Sequence, residues 1–105
     1  MPNRNIDGYE CGVASWYGDE LAGHTTASGE VFDPKGLTAA HRTFPFGTWL
    51  EVVREKNGQR VEVRVNDRGP HKRSRILDLS KAAAAKLGML RDGVANVCFR
   101  GRSAD

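Results

Sequence analysis

Hydrophobic and polar positions alternate most regularly over residues 60–65, where Val61, Val63 and Val65 fall on one side and Glu62 and Arg64 on the other. A period of two is that of a half-buried strand. Residues 48–54 are rich in β-formers, and Asn57-Gly58 between the two runs is a strong hairpin signal. The two runs are therefore read as hairpin partners. Further strands are expected at 11–17, at 37–40 leading into His41, at 75–79 and at 94–100. The pattern turns helical once: Ser80 caps four alanines, two lysines and Leu87, and Gly88 closes the helix. Residues 18–36 are rich in Gly, Ser, Thr and Asp and predict a long loop anchored by Val31 and Phe32. Phe44-Pro45-Phe46-Gly47 reads as a turn with buried aromatics, and Trp49 as core. Short strands, one short helix and long turns predict a small, mainly β barrel.

Composition narrows this without changing it. A chain of 105 residues makes one domain with one modest core. Residues 1–10 are polar and read as a flexible N-terminal segment, with the barrel over 11–101. No apolar run approaches the ~20 residues of a membrane span, and the N-terminus lacks an apolar signal core, so no export signal is expected within this chain. A net charge of +3 favours acidic partners without choosing among wall polymers, nucleic acid and anionic lipid. No basic run is interleaved with aromatics, which argues against a nucleic-acid binder. Cys11 and Cys98 lie near opposite ends, and neither belongs to a CxxC pair. In an exported protein they would form a disulfide between the first and last strands, and in a reducing cytosol two buried thiols. No spacing among His24, His41 and His71 completes a metal site. Neither metal nor cofactor is expected.

Candidate chemistry centres on Arg64-Val65-Asn66-Asp67-Arg68-Gly69-Pro70. Gly and Pro cannot continue the strand, so Asp67 leaves a rigid element at a tight turn. Such an aspartate serves either as a catalytic acid or as turn chemistry. Glu30 follows Thr26-Ala27-Ser28-Gly29, small residues that leave room for a ligand or simply an exposed loop. His41 is brought to a strand end by Thr38-Ala39-Ala40, and Asp78 lies between Leu77 and Leu79, where a carboxylate must be hydrogen-bonded or raised in pKa. Trp16 and Tyr17 could each stack on a sugar, but alternation sends them to opposite sides of the strand. His24 and His71 read as exposed loop residues.

Taken together, Gly12-Val13-Ala14-Ser15-Trp16-Tyr17-Gly18, Thr26-Ala27-Ser28-Gly29-Glu30, Leu37-Thr38-Ala39-Ala40-His41, Pro45-Phe46-Gly47-Thr48, Val63-Arg64-Val65-Asn66-Asp67-Arg68-Gly69-Pro70 and Asp78-Leu79-Ser80 resemble, in order, the motifs of the rare lipoprotein A-like (RlpA) family. The resemblance implies a six-stranded double-psi β-barrel with one or two short helices and a surface groove for glycan strands, related to expansins, barwin-like proteins and some cellulases. Some members are lytic transglycosylases, which cut between N-acetylmuramic acid (MurNAc) and N-acetylglucosamine (GlcNAc) and leave a 1,6-anhydro end. Others bind wall glycan without cutting it. Carried over by motif, the catalytic residues fall on Glu30, His41 and Asp67. Asp78 matches an acid functional in expansin and cellulase relatives, and with Ser28, Thr26, Tyr17 and Asn66 it is expected to contact substrate. The implied partner is the peptidoglycan glycan strand, met as a monomer in the periplasm or outside the cell. The lipid-attachment cysteine and the peptidoglycan-binding SPOR domain of lipoprotein members have no counterpart in this sequence.

Overall fold

The computed structural model describes residues 5, 6 and 8–102. Its strands are β1 (Asn5–Ile6), β2 (Tyr9–Tyr17), β3 (Thr38–Ala40), β4 (Trp49–Arg54), β5 (Arg60–Asp67), β6 (Leu77–Ser80) and β7 (Val94–Gly101), with one helix, α1 (Lys81–Lys86), and a 3-10 turn at Asp19–Leu21. Of the segment 1–10 read as flexible, residues 1–4 and 7 lie outside the described residues. β1 pairs with the start of β2, which takes in Tyr9 and Glu10.

Six strands close into a barrel in the order β2-β6-β3-β5-β4-β7, with β7 returning to β2. β2 runs parallel to β6 and β3 parallel to β5, and these pairs flank an antiparallel β3–β6 contact. The β4–β5 hairpin follows from the alternation. Val61, Val63 and Val65 point into the core opposite Leu50 and Val52, and Glu62 and Arg64 point out. Leu77, Leu79, Val97 and Phe99 complete the interior, with Leu87 and Met89 closing it beside α1. Each such side chain contributes about 1.5–3 kcal/mol by leaving water.

Ser80 is fully buried, and its hydroxyl joins three segments. It accepts from the amide of Ala83 at 3.3 Å, capping α1, and from Thr38 at 3.4 Å, and donates to the Gly36 carbonyl at 2.7 Å. The Asp-Leu-Ser motif thus ties the long loop to the helix start.

Three apolar residues expected inside lie outside: Val31 is 63% exposed, Phe46 42% and Trp49 41%. Strand parity explains Trp49, since Leu50, Val52 and Arg54 take the inward positions of β4 and leave Trp49 on the outer face with Glu51 and Val53. Phe32, at 2%, is the loop's true anchor and packs against the Tyr17 ring at 4.7 Å. Phe46 lies beneath the Arg68 guanidinium, 4.0 Å from its ring centre.

Cys11 and Cys98 stand opposite each other in the β2–β7 register and are joined by a disulfide, 87 residues apart in sequence. It staples the seam at which the barrel closes. Cross-linking so long a loop restricts mainly the unfolded chain. The double variant Cys11→Ala/Cys98→Ala is expected to lose about 2–4 kcal/mol in urea unfolding while keeping its far-ultraviolet circular dichroism. An unchanged unfolding midpoint would show that the seam closes without the staple.

Candidate active site

The β3 register sets the site. Ala40 pairs with Asp67 of β5 on one side and with Asp78 of β6 on the other, and a bulge between Ala39 and Ala40 adjusts the β5 side. Two carboxylates therefore flank one small residue, with backbones roughly 10 Å apart across two strand spacings. Gly69 closes the gap between them. Its φ of +140° suits glycine, and a Cβ built there would lie 3.6 Å from Asp78 Oδ2 and 3.8 Å from Ala40 Cβ.

Asp67 is fixed through one oxygen. Oδ1 accepts from the amides of Ala27 at 3.0 Å and Arg68 at 2.8 Å, whereas Oδ2 has no hydrogen bond among the described residues. The Ala27 contact pulls the loop over the strand end. Within that loop Thr26 donates to the Glu30 carbonyl through both its amide and its hydroxyl, at 2.7 and 2.9 Å. Thr26 Oγ1 and Ser28 Oγ lie 3.0 Å apart, and the Ser28 amide donates to the Asn66 carbonyl at 3.2 Å. Both hydroxyls are thus engaged in shaping the loop that presents Glu30.

Glu30 is an exposed, ionised carboxylate in a fork. Arg64 Nη1 donates to Oε2 at 2.7 Å, Arg64 Nη2 to Oε1 at 2.9 Å, and Asn66 Nδ2 to Oε1 at 3.2 Å. The hydrogen bonds from Arg64, then that from Asn66, hold its carboxyl below the usual range, so Glu30 is a poor proton donor. Asn66 is buried, and its Oδ1 has no partner among the described residues.

His41 is 8% exposed and stacks on Phe44 with ring centres 4.2 Å apart. Its amide donates to the Asp67 carbonyl at 3.1 Å, which ties it to the acid's own backbone. Its Nδ1 accepts from the amides of Thr43 at 3.1 Å and Phe44 at 3.0 Å. Amides only donate, so the proton of the neutral ring sits on Nε2. Burial, then the charges of Arg68 and Arg42, lower its pKa to about 4. His41 is thus a fixed neutral donor.

Tyr17 and Asp78 complete the group. Ser15 donates to Asp78 Oδ1, and Asp78 Oδ2, like Asp67 Oδ2, has no hydrogen bond among the described residues. The Tyr17 hydroxyl is buried without a partner among the described residues, and burial, then the charges of Asp67 and Asp78, push its pKa well above the ordinary tyrosine value. It remains a proton donor facing two carboxylates. Trp16 packs against the core instead, as alternation requires. Asp67 and Asp78 therefore converge on Tyr17, His41 is tied to Asp67 through its backbone amide, and Glu30 stands on the flank. Sequence reasoning missed Arg64, which holds Glu30, and the outward Trp49 opposite Arg64 in the β4–β5 register. The signal for both was parity along the hairpin. Among the described residues, the one trio with metal-ligand geometry is Cys11, Glu55 and Cys98, and its sulfurs are spent in the disulfide.

The model of a family described as lytic transglycolase matches residues 9–99. The chain belongs to the RlpA-like lytic transglycolase family. It is 48% identical over 95 residues to the endolytic peptidoglycan transglycosylase RlpA of Vibrio cholerae, covering 90% of this chain and 36% of that protein. With the probable endolytic peptidoglycan transglycosylase RlpA of Aquifex aeolicus the identity is 59% over 86 residues, covering 82% and 38%. The chain thus spans little more than a third of these relatives. Among solved structures, the expansin of Clavibacter michiganensis has the same fold, a double-psi β-barrel, at a TM-score of 0.73 and 24% identity, covering 92% of this chain and 52% of that one. A Streptomyces papain inhibitor superposes with a TM-score of 0.68 at 29% identity, covering 90% and 96%.

The state of His41 is open to test. Its folded pKa lies below the unfolded value, so as pH falls below about 6.5 the unfolded chain takes up the proton first and stability drops. Between pH 6.5 and 5, above the carboxylate range, this costs roughly 1–2 kcal/mol. Urea unfolding of the wild type should show that loss, and of His41→Gln should not. Equal losses in both would contradict a buried neutral His41.

Proposed function

We propose that this barrel is a lytic transglycosylase that cleaves the MurNAc–GlcNAc bond of peptidoglycan and leaves 1,6-anhydroMurNAc ends. The observation that carries the reading is Asp67, pinned through Oδ1 with Oδ2 left over. A hydrolase needs a second carboxyl to activate water or attack the sugar. A lytic enzyme uses the muramic 6-hydroxyl as its nucleophile, so one carboxyl suffices. Asp67 Oδ2 gives its proton to the glycosidic oxygen as the C1–O bond breaks. The resulting carboxylate then takes the proton of the 6-hydroxyl as that oxygen attacks C1, which restores the acid.

The other residues position and polarise. His41 offers Nε2–H as a fixed donor, Tyr17 offers its hydroxyl, and the Glu30–Arg64–Asn66 cluster holds the loop against Asp67. Glu30, His41 and Asp78 accordingly bind and orient, and Asp67 moves the proton. The outward Trp49 and Phe46 supply flat apolar surface for pyranose rings. Family membership and relatives named as peptidoglycan transglycosylases support the substrate class. The disulfide favours an oxidising compartment, periplasmic or extracellular, where a monomer meets wall glycan.

Asp67→Asn keeps an acceptor for the two amides and replaces the proton-bearing oxygen with a group that cannot cycle. Mass spectrometry of purified sacculi should find new anhydro ends with the wild type and at least ~100-fold fewer with Asp67→Asn, although the variant still pellets with sacculi. Pelleting by the wild type with no new ends would instead mark a non-catalytic wall-binding module.

A further inference from the structure

Arg42, Arg68 and Arg73 line one open cavity of about 600 Å³, with Gly69, Pro70 and His71 in its wall. That wall is the turn that follows Asp67, and its Gly69 stands against Asp78. The cavity therefore adjoins the candidate site. Five arginines elsewhere on the barrel pair with acids: Arg60 and Arg100 with Glu51, Arg64 with Glu30, Arg102 with Glu62 and Arg54 with Asp92, whereas Arg75 and Arg91, which do not line this cavity, have no carboxylate partner among the described residues. Among the described residues, none of the cavity's three arginines pairs with a carboxylate.

Two of them are nevertheless held in place. Arg42 Nη2 donates to the Lys72 carbonyl at 2.9 Å. Arg68 Nη1 donates to the carbonyls of His41 at 3.1 Å and Phe44 at 2.8 Å, and its guanidinium rests on the Phe46 ring. A carbonyl orients a guanidinium without cancelling its charge, and each fork carries five donors, so several N–H groups remain for a ligand. The lowered pKa of His41, to which Arg68 and Arg42 contribute after burial, reflects the same positive field.

Paired guanidinium N–H groups match planar oxyanions, and carboxylates above all. The sugar rings of peptidoglycan are uncharged, and the acids they carry are the lactyl carboxyl of MurNAc, free once the stem peptide is gone, or the carboxyls of that peptide. The geometry points to the Arg42–Arg68–Arg73 cavity as a carboxylate subsite that grips the acidic substituent of a muramic residue bound beside Asp67. The inference rests on the glycan reading above and adds a basis for choosing MurNAc over an uncharged sugar.

The test uses the full chain carrying Asp67→Asn, so that oligosaccharides stay intact, and measures affinity by calorimetry at low salt. The probes are denuded GlcNAc–MurNAc oligomers, the same oligomers with every lactyl carboxyl converted to a methylamide, and oligomers that keep their stem peptides. One of the two acidic probes should bind about tenfold more tightly than the methylamide. Which one does so identifies the acid, lactyl or peptide, and either result supports the subsite. Adding Arg42→Gln/Arg73→Gln should abolish the preference and leave affinity for the methylamide unchanged; Arg68 is kept because its carbonyl contacts hold the turn. Equal affinity for acid and amide, or an equal fall for both in the arginine variant, overturns the subsite and leaves the glycan reading standing. Failure of every oligomer to bind overturns both.

Discussion

Ala40 stands abreast of Asp67 on one side and Asp78 on the other, and the site depends on that registration. It exists because β3 is inserted between β5 and β6, parallel to one and antiparallel to the other. A one-residue slip of β3 would turn its side chains to the opposite face and remove His41 from the Asp67 carbonyl. The apolar alternation of β5 and the buried leucines of β6 lock the register from both sides.

Around that frame the carboxylates take different states by virtue of their neighbours. Glu30 is neutralised by the Arg64 fork and kept ionised. Asp78 accepts a side-chain hydroxyl, that of Ser15, on Oδ1 in an apolar strand, and its Oδ2 is also free among the described residues. Asp67 is bonded through one oxygen alone. An acid that must both give and take a proton needs a fixed position and an unoccupied oxygen; Asp67 has both, and unlike Asp78 it is fixed by two backbone amides, one of them from the loop that presents Glu30. His41 cannot share that task, because its Nδ1 is committed to two amides and its ring stays neutral.

Most of the fold was legible in the sequence because its signals are local. The valine alternation gave β5, the Asn-Gly turn gave the hairpin, and the Ser80 cap and Gly88 bounded the helix. What escaped was set by non-local packing. Trp49 looked like core from its size, and only the inward claim of Leu50 and Val52 turns it out. Val31 and Phe32 looked equivalent as loop anchors, and the Tyr17 ring chose Phe32. For the candidate site, the motifs pointed to Glu30, His41 and Asp67, but they could not reveal that Arg64 locks Glu30 or that the Thr26 and Ser28 hydroxyls serve the loop itself. The unpaired arginines of the turn were invisible for the same reason. Pairing is a three-dimensional property, and the carboxylates that pair with Arg100 and Arg102 come from strands distant in sequence.

The central claim is that the sugar's own hydroxyl, and not water, completes the reaction at Asp67. Digestion of sacculi in heavy-oxygen water, followed by mass spectrometry of the released muropeptides, tests it most directly. The account predicts new muramic ends that lack one water and carry no heavy oxygen. Reducing ends labelled with one heavy oxygen would mean hydrolysis, and Asp67 would then have to work with a second carboxyl.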